Sequence, residues 1–210
     1  DYRRLISEGI AFTDYGTSTD WIKEITRNPV SHTHNLTFQG GSSSTNVTAS
    51  LNYRNWQGLF LHSDNKQVTG RADVNHTMLD GMLKANLNVI TRSRTYWSGV
   101  DIGDGGFANG NSFNNYVYRQ ALIRNPTDSV KNYKNEWMER NIYFYDNPVA
   151  YLNESYGQNE ERETRLNGSL TLEPLKDLKF KLLLSNNKWT EIRGYAETKK
   201  HVSTVKNNRN

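Results

Sequence analysis

The residues able to do chemistry are spread along this chain and not gathered into a motif. Asp101 and Asp104, with the Asn and Gly residues up to Asn111, offer oxygen ligands of the kind calcium takes. Their spacing departs from an EF-hand, which needs acids at alternate positions and a late Glu, so a polar loop is the favoured reading. His32 and His34 are two apart and share a face if they lie on a strand. A metal there needs a third ligand, so a hydrogen-bonded pair is favoured. Trp56, Tyr96 and Trp97 carry ring faces suited to stacking on sugars and are weak substrate-binding candidates. There is no nucleophile elbow, P-loop or dinucleotide fingerprint, and nothing pairs two carboxylates as acid and base. The chain is read as non-enzymatic, with no catalytic residue, no metal site and no cofactor.

A second set is polar and periodic. Arg71, Asp73 and Asn75 alternate with Ala72, Val74 and His76, and Asn86 and Asn88 alternate with Ala85, Leu87 and Val89. Arg165 and Asn167 repeat the pattern against Leu166, Gly168 and Leu170. A period of two is the signature of β-strands with one apolar and one polar face. These polar residues are candidates for hydrogen bonding to water or to another part of the protein.

The strands that must position them fall into three hairpins. The first runs from Thr33 to Gly40 and from Thr45 to Tyr53, turned by 40–44. The second runs from Gln67 to Met78 and from Leu83 to Val89, turned by Leu79-Asp80-Gly81-Met82. The third joins Thr164–Leu172 to Leu178–Leu184 through 173–177. Short helical turns are expected after Thr19 or Asp20, over Asn115–Arg124 before Asn125-Pro126, and after Asn147-Pro148. The predicted organisation is a loop over 1–30, two hairpins over 31–90, a long loop over 91–159, a hairpin over 160–186 and the start of another loop over 187–210.

Composition narrows the class. Of 210 residues only 35% are hydrophobic and the mean hydropathy is −0.83, which is lean for a soluble core of this size. The 12 Tyr, 7 Phe and 5 Trp are too many for a disordered chain. No apolar run approaches the roughly 20 residues of a membrane helix. The net charge of +4 is dispersed apart from a mild excess at Lys199, Lys200, Lys206 and Arg209. That reads as a solvated surface, with no nucleic-acid partner. With no Cys, disulfides and thiolate sites are absent from this sequence. The first residue is Asp1 and the last segment closes no pattern, so the chain is expected to be an internal piece of something longer.

Short and long connections alternate strictly between the strands. A loop of nearly 70 residues is uncommon inside a compact soluble domain. An outer-membrane barrel has this asymmetry by construction, with short periplasmic turns and long external loops. About ten residues at roughly 3.3 Å, tilted near 40°, span the roughly 25 Å of its apolar band. On this reading Ala72, Val74, Leu83, Leu87 and Val89 meet lipid, and Arg71, Asp73, Asn75, Asn86, Arg165 and Asn167 face the lumen or a plug. Trp56, Tyr96 and Trp97 then have an alternative role in the interfacial aromatic girdle.

Several segments carry a resemblance. Thr19-Asp20-Trp21, Arg27-Asn-Pro29 and His34-Asn-Leu-Thr-Phe-Gln-Gly-Gly41 resemble the early barrel of SusC/RagA-like TonB-dependent transporters. So do Ala49-Ser-Leu-Asn-Tyr53, Gly58 and Arg71-Ala-Asp-Val-Asn75. Thr37 and Gln39 stand where serines are commoner in that family. Arg124-Asn-Pro-Thr127 and Asn147-Pro-Val-Ala150 resemble its "NPT…NPVA" external loop. The resemblance implies about six strands of an all-β, antiparallel up-and-down transmembrane barrel of 22 strands, without plug or TonB box. It implies outer-membrane localisation in a Bacteroidota-type bacterium and TonB-energised import of an oligosaccharide or peptide. The implied partners are a SusD-like surface lipoprotein, TonB and outer-membrane lipid. The rival expectation is a soluble, secreted all-β carbohydrate-binding module, whose apolar face would pack against a second sheet.

Overall fold

The computed structural model describes residues 13–97, 113–140 and 145–206. The stretch around Asp101 and Asp104 lies outside them. Six strands form one antiparallel sheet in chain order: β1 (His32–Gly41), β2 (Thr45–Gln57), β3 (Asp64–Met78), β4 (Leu83–Trp97), β5 (Ser155–Leu175) and β6 (Leu178–Glu197). Each strand pairs with its neighbours in sequence, giving the expected all-β up-and-down meander. The connections 42–44, 79–82 and 176–177 lie at one end and 58–63 and 98–154 at the other.

Chemistry fixes the tight turns. Leu79–Gly81 forms a single 3-10 turn in which Leu79, Asp80 and Gly81 all have positive φ. At the last turn Asp177 takes φ 69°; β5 runs closer to it than expected, to Leu175, and β6 starts at Leu178 as expected. A register shift between Leu172 and Leu175 absorbs the mismatch.

Away from the turns the strands outrun their predicted limits. β4 continues through Thr91–Trp97, β5 begins at Ser155, and β6 reaches Glu197. These stretches were expected to be loop within 91–159 and 187–210. Trp56 was likewise expected in a loop and lies on β2. The physical reason is that both faces are polar there, as in Gln158–Arg165, so the amphipathic period fades while the backbone pairing persists.

Register puts most apolar residues of the six strands on one face, with Ile90 and Leu183 on the other. Leu51 opposes Leu36 on one side and Gly70 on the other, and Leu87 lies between Val74 and Gly168. Leu170 then opposes Leu182. Much of this face is open, with Leu172 37% and Leu184 65% exposed, while Val74, Met78, Leu83 and Val89 are half-buried. Among the described residues no second sheet covers it. No helix of the described residues is long and apolar enough to cross a membrane, which says nothing of strands.

The buried core sits elsewhere, in a cap at the long-loop end. It contains α1 (Trp21–Ile25), α2 (Phe113–Ile123) and α3 (Pro148–Asn153), with α4 (Val202–Lys206) beside them. Trp21, Ile25, Val117, Ala121, Val149 and Leu152 form the cluster, with Phe60 and Leu61 from the 58–63 connection packed against it.

Candidate functional site

The polar face of the sheet begins with a hydrogen-bonded cluster near the short turns. Asp73 accepts from Asn75 Nδ2 at 2.7 Å through Oδ1, and from Asn88 Nδ2 at 3.1 Å and Asn86 Nδ2 at 3.4 Å through Oδ2. Asn86 Nδ2 also donates to Asn75 Oδ1 at 2.8 Å. The alternation that sends Ala72 and Val74 to one face sends Asp73 and Asn75 to the other. Asn167 extends the polar row, accepting from Ser185 Oγ at 2.7 Å. Arg71 lies on the same face, exposed, opposite Ser50 and Ile90.

Farther from the turns the polar face becomes a ladder of charges, which sequence reading missed except for Arg165. Arg92 pairs with Glu161 and, at 2.8 Å, with Glu163. Arg94 reaches Glu161 at 3.4 Å, and Arg165 reaches Glu163 at 2.5 Å. Register explains the pairing, because Arg92 opposes Glu163 and Arg94 opposes Glu161 across β4 and β5. The signal in the sequence was the opposite charge of Arg92-x-Arg94 and Glu161-x-Glu163, each at a spacing of two.

The three aromatic candidates do not form one site. Tyr96 belongs to the ladder: its hydroxyl donates to Glu191 Oε1 at 2.6 Å and Arg94 lies 4.2 Å from its ring centroid. Trp56 lies on β2 with Arg54 5.3 Å from its ring. Trp97 ends β4, stacked on Tyr195 at 6.0 Å, and covers Gly157 so closely that any β-carbon there would collide with its ring. His32, His34 and Tyr53 form a ring cluster, with the two imidazoles 5.1 Å apart and Tyr53 stacked on His34 at 6.2 Å. No group of three or more potential metal ligands occurs among the described residues.

The cap is where the sequence motifs converge. Asp20 caps α1 by accepting from Lys23 N at 3.1 Å, which turns Trp21 inward. Trp21 Nε1 donates to Asn125 O at 3.0 Å, and Thr19 N donates to Pro126 O at 2.7 Å. Asn147 is fully buried. Its side chain caps α3, accepting from Val149 N and Ala150 N, and donates to Val130 O at 2.8 Å. The Thr-Asp-Trp, Asn-Pro-Thr and Asn-Pro-Val-Ala segments therefore hold one another.

Arg124 lies at their centre, buried with Asp128, which it contacts at 3.1 Å. It also donates to Tyr145 O at 2.7 Å and lies 5.2 Å from the Trp21 ring. Burial pushes the half-buried Glu139 carboxyl above the usual carboxylate range, against the pull of Arg124 and the Asn147 N–H. Arg27 bolts the cap to the sheet, donating to Gly58 O at 3.1 Å and Ser63 O at 2.6 Å and pairing with Asp64 at 3.0 Å.

Among the described residues no nucleophile, base and oxyanion donor are arranged together. The arrangement can bind and it can hold water and charge along a wall; its class is an antiparallel up-and-down sheet with one bare apolar and one polar face. That fold is shared with transport proteins. The chain is similar to the "RagAB peptide importer in the 'closed-closed' state", with TM-score 0.67 and 18% identity over 88% of this chain. It is also similar to the "RagAB peptide transporter", with TM-score 0.64 and 18% identity over 85% of this chain. For the importer in the "open-open" state the values are 0.64, 16% and 83%. The chain spans about a fifth of the length of each matched chain (20%, 20% and 19%). No protein-family profile matches the chain, and no curated protein does.

Proposed function

We propose that this chain is part of the barrel wall of a SusC/RagA-like, TonB-dependent transporter that imports an oligosaccharide or peptide across an outer membrane. One observation carries the reading: a continuous apolar face, open at residues such as Leu87, Leu182 and Leu184, lies opposite a hydrogen-bonded polar face on the same six strands. Leaving such a face in water costs about 1.5–3 kcal/mol per large side chain. Lipid removes the cost, and the opposite face then lines the lumen or meets a plug. The resemblance to importer structures supports the same reading. So do the outer edges of β1 and β6, which no strand among the described residues pairs and which further strands of a barrel would satisfy.

In this reading Ala72, Val74, Leu83, Leu87 and Val89 meet lipid. Arg71, Asp73, Asn75, Asn86, Arg165 and Asn167 face the lumen or plug, and Trp56, Tyr96 and Trp97 lie beyond the lipid. The cap and the long connections are external, where a SusD-like lipoprotein would close over the substrate. TonB acts through a segment outside this sequence. The mechanism is non-covalent: substrate binds among external loops, and movement of a plug opens a polar path along the wall. The soluble carbohydrate-binding module is disfavoured by the bare apolar face.

Fractionation of cells expressing the full-length protein tests this. The protein is expected in the outer-membrane fraction, released by detergent and not by carbonate or high salt. Recovery from the soluble fraction without detergent would refute it.

A further inference from the structure

We infer that the apolar side of β5 and β6 holds one acidic lipid, its phosphate on Arg162 and Lys188 and an acyl chain in a notch beside Gly168. This inference rests on the import reading, in which that side meets lipid, and adds a lipid class and a place for it. Alternation puts Arg162 on the apolar side of β5 with Thr164, Leu166 and Gly168, and Lys188 on the same side of β6 with Asn186 and Leu184. Arg162 opposes Thr190 and Lys188 opposes Thr164, so the two cations are diagonal neighbours. Such positions lie about 7–8 Å apart, within reach of one phosphate for two long side chains.

The cations follow the edge of the belt. Lys66, Thr95, Glu160 and Ile192 lie side by side across β3 to β6. From that row Arg162 is two residues nearer the short turns, and Lys188 is four. The upper edge of the continuous apolar run steps down in the same direction, from Val68 on β3 to Leu166 on β5 and Leu184 on β6. In a bilayer this margin is the headgroup level, where an anionic surface attracts each nearby Lys or Arg. Charge there is lopsided. Farther out Asp64 pairs with Arg27 at 3.0 Å. Glu160 lies 3.8 Å from Arg162, with side chains 41% and 76% exposed, so it holds Arg162 weakly. Toward the short turns, Lys84 and Lys181 lie on the polar face instead, both opposite Thr171.

The second half of the site is an apolar notch. Val74, Leu87, Leu170, Leu182 and Leu184 surround Gly168 and leave about 280 Å³ open. A β-carbon at Gly168 would meet nothing within 4 Å. Gly168 is six residues from Arg162. At about 3.3 Å per residue and about 40° of tilt, that is roughly 15 Å of depth. It is about half of the roughly 30 Å hydrocarbon core, the reach of one leaflet's acyl chains. A free anion would match the cations and not the notch, and a neutral lipid the notch and not the cations. An acidic lipid matches both.

The test uses the full-length protein in neutral detergent and native mass spectrometry, which reads the first lipid retained. The probes are dimyristoylphosphatidate and dimyristoylphosphatidylcholine, which share their acyl chains. Phosphatidate is expected to bind at an at least about tenfold lower concentration. The R162Q/K188Q variant loses that preference. The G168L variant, which fills the notch, binds phosphatidate at least about tenfold more weakly. Glycerol 3-phosphate, the headgroup without chains, does not displace the lipid. Equal retention of the two lipids, an unchanged preference in R162Q/K188Q, unchanged binding in G168L, or displacement by glycerol 3-phosphate overturns the proposal. Loss of the preference in a protein that still fractionates with the outer membrane sinks this site alone, whereas recovery of the protein without detergent sinks the import reading.

Discussion

Asp73 on β3 and Asn88 on β4 are direct cross-strand partners, with Asn88 Nδ2 donating to Asp73 Oδ2 at 3.1 Å. One residue along, Val74 opposes Leu87 on the other face of the same pair. A single peptide step thus separates a hydrogen-bonded carboxylate cluster from a bare apolar belt. Replacing Asp73 by Leu removes the acceptor for three amide donors and is expected to destabilise the wall by about 1–3 kcal/mol. Thermal unfolding of the full-length protein in detergent checks this, with Asp73→Asn as the milder change.

The two glycines Gly157 and Gly168 give opposite expectations. A β-carbon at Gly157 collides with the Trp97 ring, whereas one at Gly168 meets nothing within 4 Å. Gly157→Val is expected to cost about 1–3 kcal/mol through displacement of Trp97. Gly168→Ala is expected to leave the unfolding midpoint unchanged. Equal effects at the two positions would place the Trp97 ring elsewhere.

Arg124 is the keystone of the cap. Its removal takes one of two arginine partners from Asp128, which is 1% exposed, and breaking a buried pair costs about 3–5 kcal/mol. Arg124→Met is expected to expose the cap to limited proteolysis while β-sheet circular dichroism stays unchanged. Asp128 keeps Arg140 at 3.1 Å, so a loss toward the lower end of that range is expected.

The cap is also expected to loosen in alkali. Burial raises the phenol of Tyr116 well above its ordinary value near 10, helped by its hydrogen bond to Asp146, and burial raises that of Tyr151. The folded cap therefore holds both rings neutral. Unfolded, they ionise near pH 10, so stability is fully present below that pH and declines as pH rises above it. Protease susceptibility of the cap measured from pH 8 to pH 11 should rise, and Tyr116→Phe with Tyr151→Phe should flatten the profile.

The sequence made the belt legible because Gly70–Met78 and Leu83–Val89 alternate cleanly between apolar and polar residues. It hid the outer halves of the strands, since Arg92, Arg94, Glu161 and Glu163 sit among polar neighbours and period two no longer separates the faces. The cap was legible only in pieces. Asp20 and Asn147 announce their helices locally, but Thr17 meets Thr127 across 110 residues, a contact no local pattern encodes. The same separation hid the shared cleft between the 131–139 segment and Lys199 and Lys200.

The central claim is the assignment of the two faces. It is tested most directly by nitroxide labels on single cysteines at Leu170 and Asn167 in the full-length protein, any native cysteine replaced by serine, reconstituted in bilayers. Power-saturation EPR then reads collisions with oxygen, which partitions into lipid, and with a water-soluble nickel chelate. The account predicts that the Leu170 label is relaxed by oxygen and shielded from nickel, and that the Asn167 label shows lower oxygen accessibility. Equal access of both labels to nickel would contradict it.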